Sequence, residues 1–278
     1  MLIDTHCHVN MMIKKEFDKI ATPQEIISAE KIIVDAKKND VTTIINVGTS
    51  VPESINCVAL AATYPNCYAV VGIHPNDCTS EWKKDIALLT PYIKQKEKNK
   101  IIGIGECGLD MHYPEYNLQR QQDAFRAQIE LALAHDLALI IHSRDAYDET
   151  LKILDEYKND LQRNNCARTI MHCFSYDALF AQTVIAWNMH LGIGGTITYP
   201  KNKELRSLVQ SLPLEHIVLE TDAPFLPPQS MRGKQNHPLH IKDIASFIAD
   251  LKDMPLDAVV HQIQKNCDDI FMIKAQQQ

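Results

Sequence analysis

The chain has 278 residues, 45% of them hydrophobic and 23% charged, and a formal net charge of −7. That size and composition suit one soluble globular domain spanning residues 1–278, with no Pro/Gly/Ser-rich linker to divide it. The acidic balance excludes broad electrostatic wrapping of duplex DNA, where neutralised phosphates supply most nonspecific affinity, but lets a few cations hold a short end. No apolar run approaches the roughly 20 residues of a membrane span. The first strand starts too early for a charged leader to precede it, so a cytoplasmic location is expected. Eight cysteines include no Cys-x-x-Cys pair, and the chain is far longer than a disulfide scaffold. Disorder is expected only in a tail at 274–278.

In chain order, the first strand is predicted from Leu2 to Val9, followed by a helix from Pro23 to Asn39. The second runs from Thr42 to Gly48 with a helix near Pro52 to Thr63, and the third from Cys67 to His74 with a helix from Glu81 to Lys98. Ile101 to Leu109 is the fourth strand. After it, Asn117 to Asp136 places Leu118, Ala124, Phe125, Ile129, Ala132 and Leu133 on one helical face. The fifth strand, Ala138 to His142, precedes a helix from Tyr147 to Lys158, and the sixth, Thr169 to Phe174, precedes one from Ala178 to Trp187. His190 to Thr196 and Lys203 to Ser211 form the seventh unit. Ile217 to Glu220 is the eighth strand, and a helical ending begins over Leu239 to Leu251. Near-continuous Val/Ile/Leu strands alternating with helices predict a parallel sheet covered on its outside, and eight such units favour a closed (β/α)₈ TIM barrel.

Polar residues follow the strands in a repeated pattern. Within Asp4-Thr5-His6-Cys7-His8, strand alternation aims His6 and His8 at one point and Cys7 away from it. Glu106, His142, His172 and Asp222 likewise terminate apolar runs. One such His is usually a hydrogen-bonded core residue, but six ligand-type side chains in the same position need a shared cause, and in a barrel the strand ends converge on one mouth. Imidazole and carboxylate are metal-ligand chemistry. Cys7, Cys107 and Cys173 each follow one of these residues and are read as packing groups facing the helices. Gly103-Ile104-Gly105-Glu106-Cys107-Gly108 resembles a dinucleotide loop only superficially, since an acid sits inside it and so short a match is weak.

The chain resembles the TatD family of metal-dependent deoxyribonucleases, within the amidohydrolase-like TIM barrels. The resemblance rests on Asp4-Thr5-His6-Cys7-His8, Gly72-Ile73-His74-Pro75, Ile104 to Asp110, His142-Ser143-Arg144, His172-Cys173-Phe174-Ser175, Glu220 to Leu226, Arg232-Gly233-Lys234 and Asn236. It implies two divalent ions (Mg, Mn or Zn), with His6, His8 and Asp222 on one, His142 and His172 on the other, and Glu106 bridging. It further implies hydrolysis of DNA phosphodiesters by water activated between the ions, with Asp222 taking or orienting the proton. A 3′–5′ exonuclease acting on single-stranded or flexible DNA ends is the implied activity. His74, Arg144, Arg232 and Lys234 would contact substrate, with surface ion pairing the plainer reading for the three cations. Asp110 and Glu220 would orient ligands. No membrane and no obligate protein partner is expected. Three departures flank these positions: His237 where the family usually has an acid, Met111-His112 in place of an aromatic pair, and Tyr176 in place of a glycine. Two rival readings are a hydrolase of a carbonyl substrate (amide, lactone or aminoacyl ester) on the same centre, and a scaffold that has kept the barrel. Phosphate-suited cations count against the first, and six retained ligand positions against the second.

Overall fold

The structure, a computed structural model, describes residues 1–163 and 168–273. Eight strands form one parallel sheet in sequential order: β1 Leu2–Cys7, β2 Val41–Val47, β3 Cys67–Val71, β4 Ile101–Asp110, β5 Ala138–Arg144, β6 Thr169–Met171, β7 His190–Ile193 and β8 Ile217–Leu219. Helices intervene, and the sheet curls into a nearly closed TIM barrel. Its strands are parallel and apolar because both faces are covered: Ile44, Ile45, Val70, Ile104, Ile140, Leu191 and Val218 are fully buried.

Local chemistry starts the helices where the chain turns back. Thr22 and Glu25 form a reciprocal cap at Pro23–Ser28, Ser50 caps Val51–Thr63, Asn117 caps Leu118–His135, and Asp177 caps Ala178–Ala186. Two expected helices are broken. The stretch 23–39 divides at Ala29, and 81–98 becomes Trp82–Ile93 and Lys96–Asn99. Val9 belongs to a short helix, Val9–Met12, rather than to the first strand. The helical ending includes a final helix, Leu256–Phe271, for which no bounds are predicted; it buries Val259, Ile263, Cys267 and Ile270 at helical spacing. The tail expected to be disordered lies outside the described residues.

The seam between β1 and β8 is closed by the segment after β8. Asp222 N–H donates to His6 O (2.9 Å) and His8 N–H to Ala223 O (2.6 Å), while Thr5 Oγ1 donates to Leu219 O (2.9 Å). Beneath them the buried Asp4 carboxyl accepts from Thr221 N–H at 3.0 Å and Thr221 Oγ1 at 2.5 Å. Burial pushes the Asp4 carboxyl up to about 8 against the pull of these bonds. The Asp of the opening motif thus acts structurally, tying the start of the chain to the loop that carries Asp222.

Candidate metal centre

The six strand-end residues meet at the C-terminal mouth. His6 Nε2 and His8 Nε2 lie 3.2 Å apart, His8 Nε2 is 3.3 Å from Asp222 Oδ1, and His6 Nε2 is 3.3 Å from Glu106 Oε2. On the other side Glu106 Oε1 is 2.8 Å from His142 Nδ1 and 3.7 Å from His172 Nε2. Four sets of three ligand atoms lie within 4.8 Å of one another and could hold a cation; two of them, His6–His8–Asp222 and Glu106–His142–His172, divide the six strand-end residues between them, and a third, His6–His172–Glu220, overlaps both.

Local geometry places each side chain. A register shift between Ile104 and Cys107 against β5 re-aims Glu106. The backbones of β4 and β5 approach so closely that a Cβ on Gly108 (φ +137°) would lie 2.0 Å from His142 O. Glycine there serves strand contact rather than a phosphate loop. Likewise a Cβ on Gly192 would lie 2.3 Å from Glu220 Oε2, so only glycine leaves room for that carboxylate.

Hydrogen bonds set the tautomers. His8 Nδ1 donates to Val47 O at 2.8 Å, freeing Nε2 for a ligand. Asp110 Oδ2 lies 3.1 Å from His142 Nε2, leaving Nδ1 for the centre. Glu220 Oε1 lies 2.9 Å from His172 Nδ1 and also accepts from Cys173 N–H at 2.6 Å. A further grouping, His74–Asp110–His142, lies within ligand reach, but His74 Nδ1 accepts from Asn76 N–H at 3.1 Å. Neutral His74 therefore carries its proton on Nε2, 3.5 Å from Glu106 Oε1, as a donor and not a ligand.

The charge balance also fits cations. Burial opposes ionisation of Glu106, but His172, His74, His142 and His6 outweigh it and hold the carboxyl well below the usual range. Asp222 is lowered against burial by His8, His172 and His6. Burial and the nearby His172 lower His6. His172 is pushed up to about 10, against burial, by Glu220, Glu106 and Asp222. Glu220, Glu106 and Asp222 thus favour a proton on His172, and a cation bound there would displace it. Thiols are not part of this donor set: burial raises Cys7, Cys107 and Cys173, and Cys7 and Cys107 are fully buried.

A family description, TatD related DNase, matches residues 3–272. The chain belongs to the TatD family. It is 33% identical over 274 residues to an uncharacterized metal-dependent hydrolase, YabD, of Bacillus subtilis, covering 98% of this chain and all of that protein. It is 32% identical over 207 residues to the 3′-5′ ssDNA/RNA exonuclease TatD of Salmonella typhimurium, covering 73% of this chain and 76% of that one. The structure of YjjV, a TatD homologue from Escherichia coli, superposes with a TM-score of 0.84 at 28% identity over 98% of both chains. As a TatD family member, the chain is a metal-dependent hydrolase.

Around this TatD centre, Arg144, Arg232 and Lys234 are exposed. Arg144 lies over the Tyr113 ring (5.7 Å) and Arg232 over Tyr199 (4.4 Å). The plainer expectation of surface ion pairs finds no carboxylate partner for these three cations among the described residues. Three further residues organise the mouth: Asn76 Nδ2 donates to Asp110 Oδ2 at 2.9 Å, and Asn236 Nδ2 donates to both Thr221 O and Phe225 O at 2.7 Å, while Thr221 bonds Asp4. Thr221 and Asn236 belong to the quoted motifs without a role attached, whereas Asn76 lies one position past the motif ending at Pro75 and carries no signal of its own. Tyr176, where the family resemblance leads one to expect a glycine, joins Ser143 Oγ (2.9 Å) and Ala146 N–H (3.2 Å), bracing the turn after β5.

His237, at a position where the family resemblance leads one to expect an acid, has a structural role. Its Nδ1 accepts from Leu239 N–H at 3.1 Å, capping a short 3₁₀ turn. Burial and the neighbouring His240 depress it to about 4, and protonation at Nδ1 removes the acceptor. Below about 6.5 the unfolded chain takes up a proton that the folded one refuses, so this contribution is complete above that pH and is lost as pH falls toward about 4. The shift corresponds to at most about 3 kcal/mol. Urea melts from pH 7 to 4 are expected to show a shallower acid loss for His237→Asp, which keeps an acceptor, than for the parent chain. Parallel curves contradict the assignment.

Proposed function

We propose that the chain is a two-cation phosphodiesterase that removes nucleotides from 3′ ends of single-stranded or flexible DNA in the cytoplasm. The observation that carries this reading is Glu106, whose Oε2 is 3.3 Å from His6 Nε2 while Oε1 is 2.8 Å from His142 Nδ1. A carboxylate can serve two ions, whereas neutral imidazole offers one nitrogen. His6, His8 and Asp222 would hold one ion and His142 and His172 the other, with Glu106 shared. Divalent Mg, Mn or Zn bound there lowers the pKa of water toward about 7 and offsets charge on phosphoryl oxygens.

The chain's own groups supply the remainder. Asp222 has 14% of its side chain exposed, the most open of the proposed acidic ligands, and is placed to take a proton from attacking water. His74 Nε2–H is a donor for an oxygen at the centre. Asp110 and Glu220 hold His142 and His172 in orientation. Arg144, Arg232 and Lys234 suit the phosphates of a short end, which favours a phosphodiester over a carbonyl substrate. The polarity follows the name of the Salmonella relative. Free thiols at Cys7, Cys57, Cys67, Cys78, Cys107, Cys173 and Cys267 fit a reducing compartment, and no described helix is long and apolar enough to cross a membrane.

The test is end-labelled single-stranded DNA, duplex DNA, RNA and a carbonyl-ester panel, each with Mg, Mn or Zn after chelation. Stepwise shortening of single strands from the 3′ end is expected, and hydrolysis confined to the esters overturns the reading. Arg232→Ala and Lys234→Ala are each expected to raise KM for DNA by about 3- to 10-fold and lower the salt slope by about 1, with metal content unchanged. Unchanged KM and slope in both variants would remove them from substrate binding.

A further inference from the structure

A cavity of about 250 Å³ opens beside the metal centre, lined by Asn76, Tyr113, Glu115, Tyr116, Arg120 and Gln121 among others. Asn76 ties it to the centre, because its Nδ2 bonds Asp110 Oδ2 (2.9 Å), which in turn meets His142 Nε2 (3.1 Å). Tyr113 and Tyr116 are 51% and 38% exposed, although large aromatic rings usually gain by burial. Tyr113 is nonetheless held in place. Its neighbour His112 donates its N–H to Asp110 Oδ1 (2.9 Å) and pairs through its ring with Asp145 (2.8 Å). The His112 ring meets Tyr113 edge-on at 5.2 Å, and the Arg144 guanidinium lies over Tyr113 at 5.7 Å. The result is a solvent-facing Tyr113 ring, braced by His112 and Arg144, one residue beyond His112 and three beyond Asp110, with Tyr116 in the same wall.

We infer that this cavity is a subsite for one unpaired nucleobase of the substrate, stacked on Tyr113 and Tyr116 next to the phosphodiester at the metal centre. This rests on the nuclease reading above and adds where its strand preference comes from. The volume is below the roughly 300–1,000 Å³ of pockets for drug-sized ligands, and so suits a single planar ring system. Glu115 in the wall repels a phosphate but accepts from a base amine or ring N–H, while Asn76 and Arg120 add polar groups on the same wall; the buried Gln121 amide is already bonded to Asp110 and Pro75 and only shapes it. The backbone phosphate is left to Arg144, outside the cavity lining. A base still paired in a duplex cannot enter, so the subsite selects single strands by shape and stacking rather than by sequence.

The test uses the metal-loaded full chain and oligonucleotides carrying one abasic position, moved stepwise from the 3′ end. For the parent chain one position near the end is expected to raise KM by about 10-fold, the scale of one lost base–aromatic stack. Tyr113→Ala and Tyr116→Ala are expected to raise KM on intact single strands by a similar factor and to become indifferent to the abasic position. Tyr113→Phe and Tyr116→Phe, which keep the ring face, are expected to preserve both KM and the abasic penalty, and circular dichroism checks that every variant is folded. If the parent chain degrades single strands but the Ala variants retain the full abasic penalty, the subsite is wrong and the nuclease reading stands. A parent chain that cleaves no oligonucleotide while hydrolysing carbonyl esters overturns both.

Discussion

Glu106→Ala is expected to deplete both cation sites together and to lower kcat/KM on DNA by at least about 10³-fold, several kcal/mol of transition-state stabilisation. The reason is the position of its two oxygens, one toward His6 and one toward His142. His6→Ala should instead empty chiefly the group with His8 and Asp222. Metal analysis of purified variants beside kinetics separates these outcomes. Retention of both ions with near-normal turnover in Glu106→Ala refutes the shared-ligand assignment.

Asp222→Asn should lose about 10²- to 10⁴-fold in kcat, the range of general acid–base catalysis, with KM changing far less. The amide keeps an oxygen that can meet a cation but cannot accept a proton from water in the same way. Folding should survive because Asp222 joins the seam through its backbone N–H to His6 O (2.9 Å), which the substitution leaves intact. Activity restored by excess Mn reduces the side chain to ligation alone. Full activity without added metal removes Asp222 from the site.

The eight-unit barrel was legible because parallel strands buried on both faces leave continuous apolar runs, as in Leu139-Ile140-Ile141 and Ile217-Val218-Leu219. Strand ends were less so. Beyond Met171, Ile193 and Leu219 the chain leaves the ladder at the residues that line the mouth, and an apolar or polar letter does not report that departure. The ligand-type residues could be found from their place after those runs, since chemistry and register act together there. Asp4 was harder: its side chain serves Thr221, 217 positions away, and only the closed barrel brings them together. Similarly, Tyr113 and Tyr116 carry no period or spacing that marks a cavity. The final helix falls in the helical ending expected to begin over Leu239 to Leu251 but has no predicted bounds there, although Val259, Ile263, Cys267 and Ile270 carry a readable helical spacing.

The most direct measurement is an anomalous-scattering experiment on crystals soaked in Mn after chelation. The arrangement of Glu106 predicts two peaks about 3.5–4 Å apart, one against His6, His8 and Asp222 and one against His142 and His172, with a Glu106 oxygen on each. A single peak, or one seated between His74, Asp110 and His142, contradicts it.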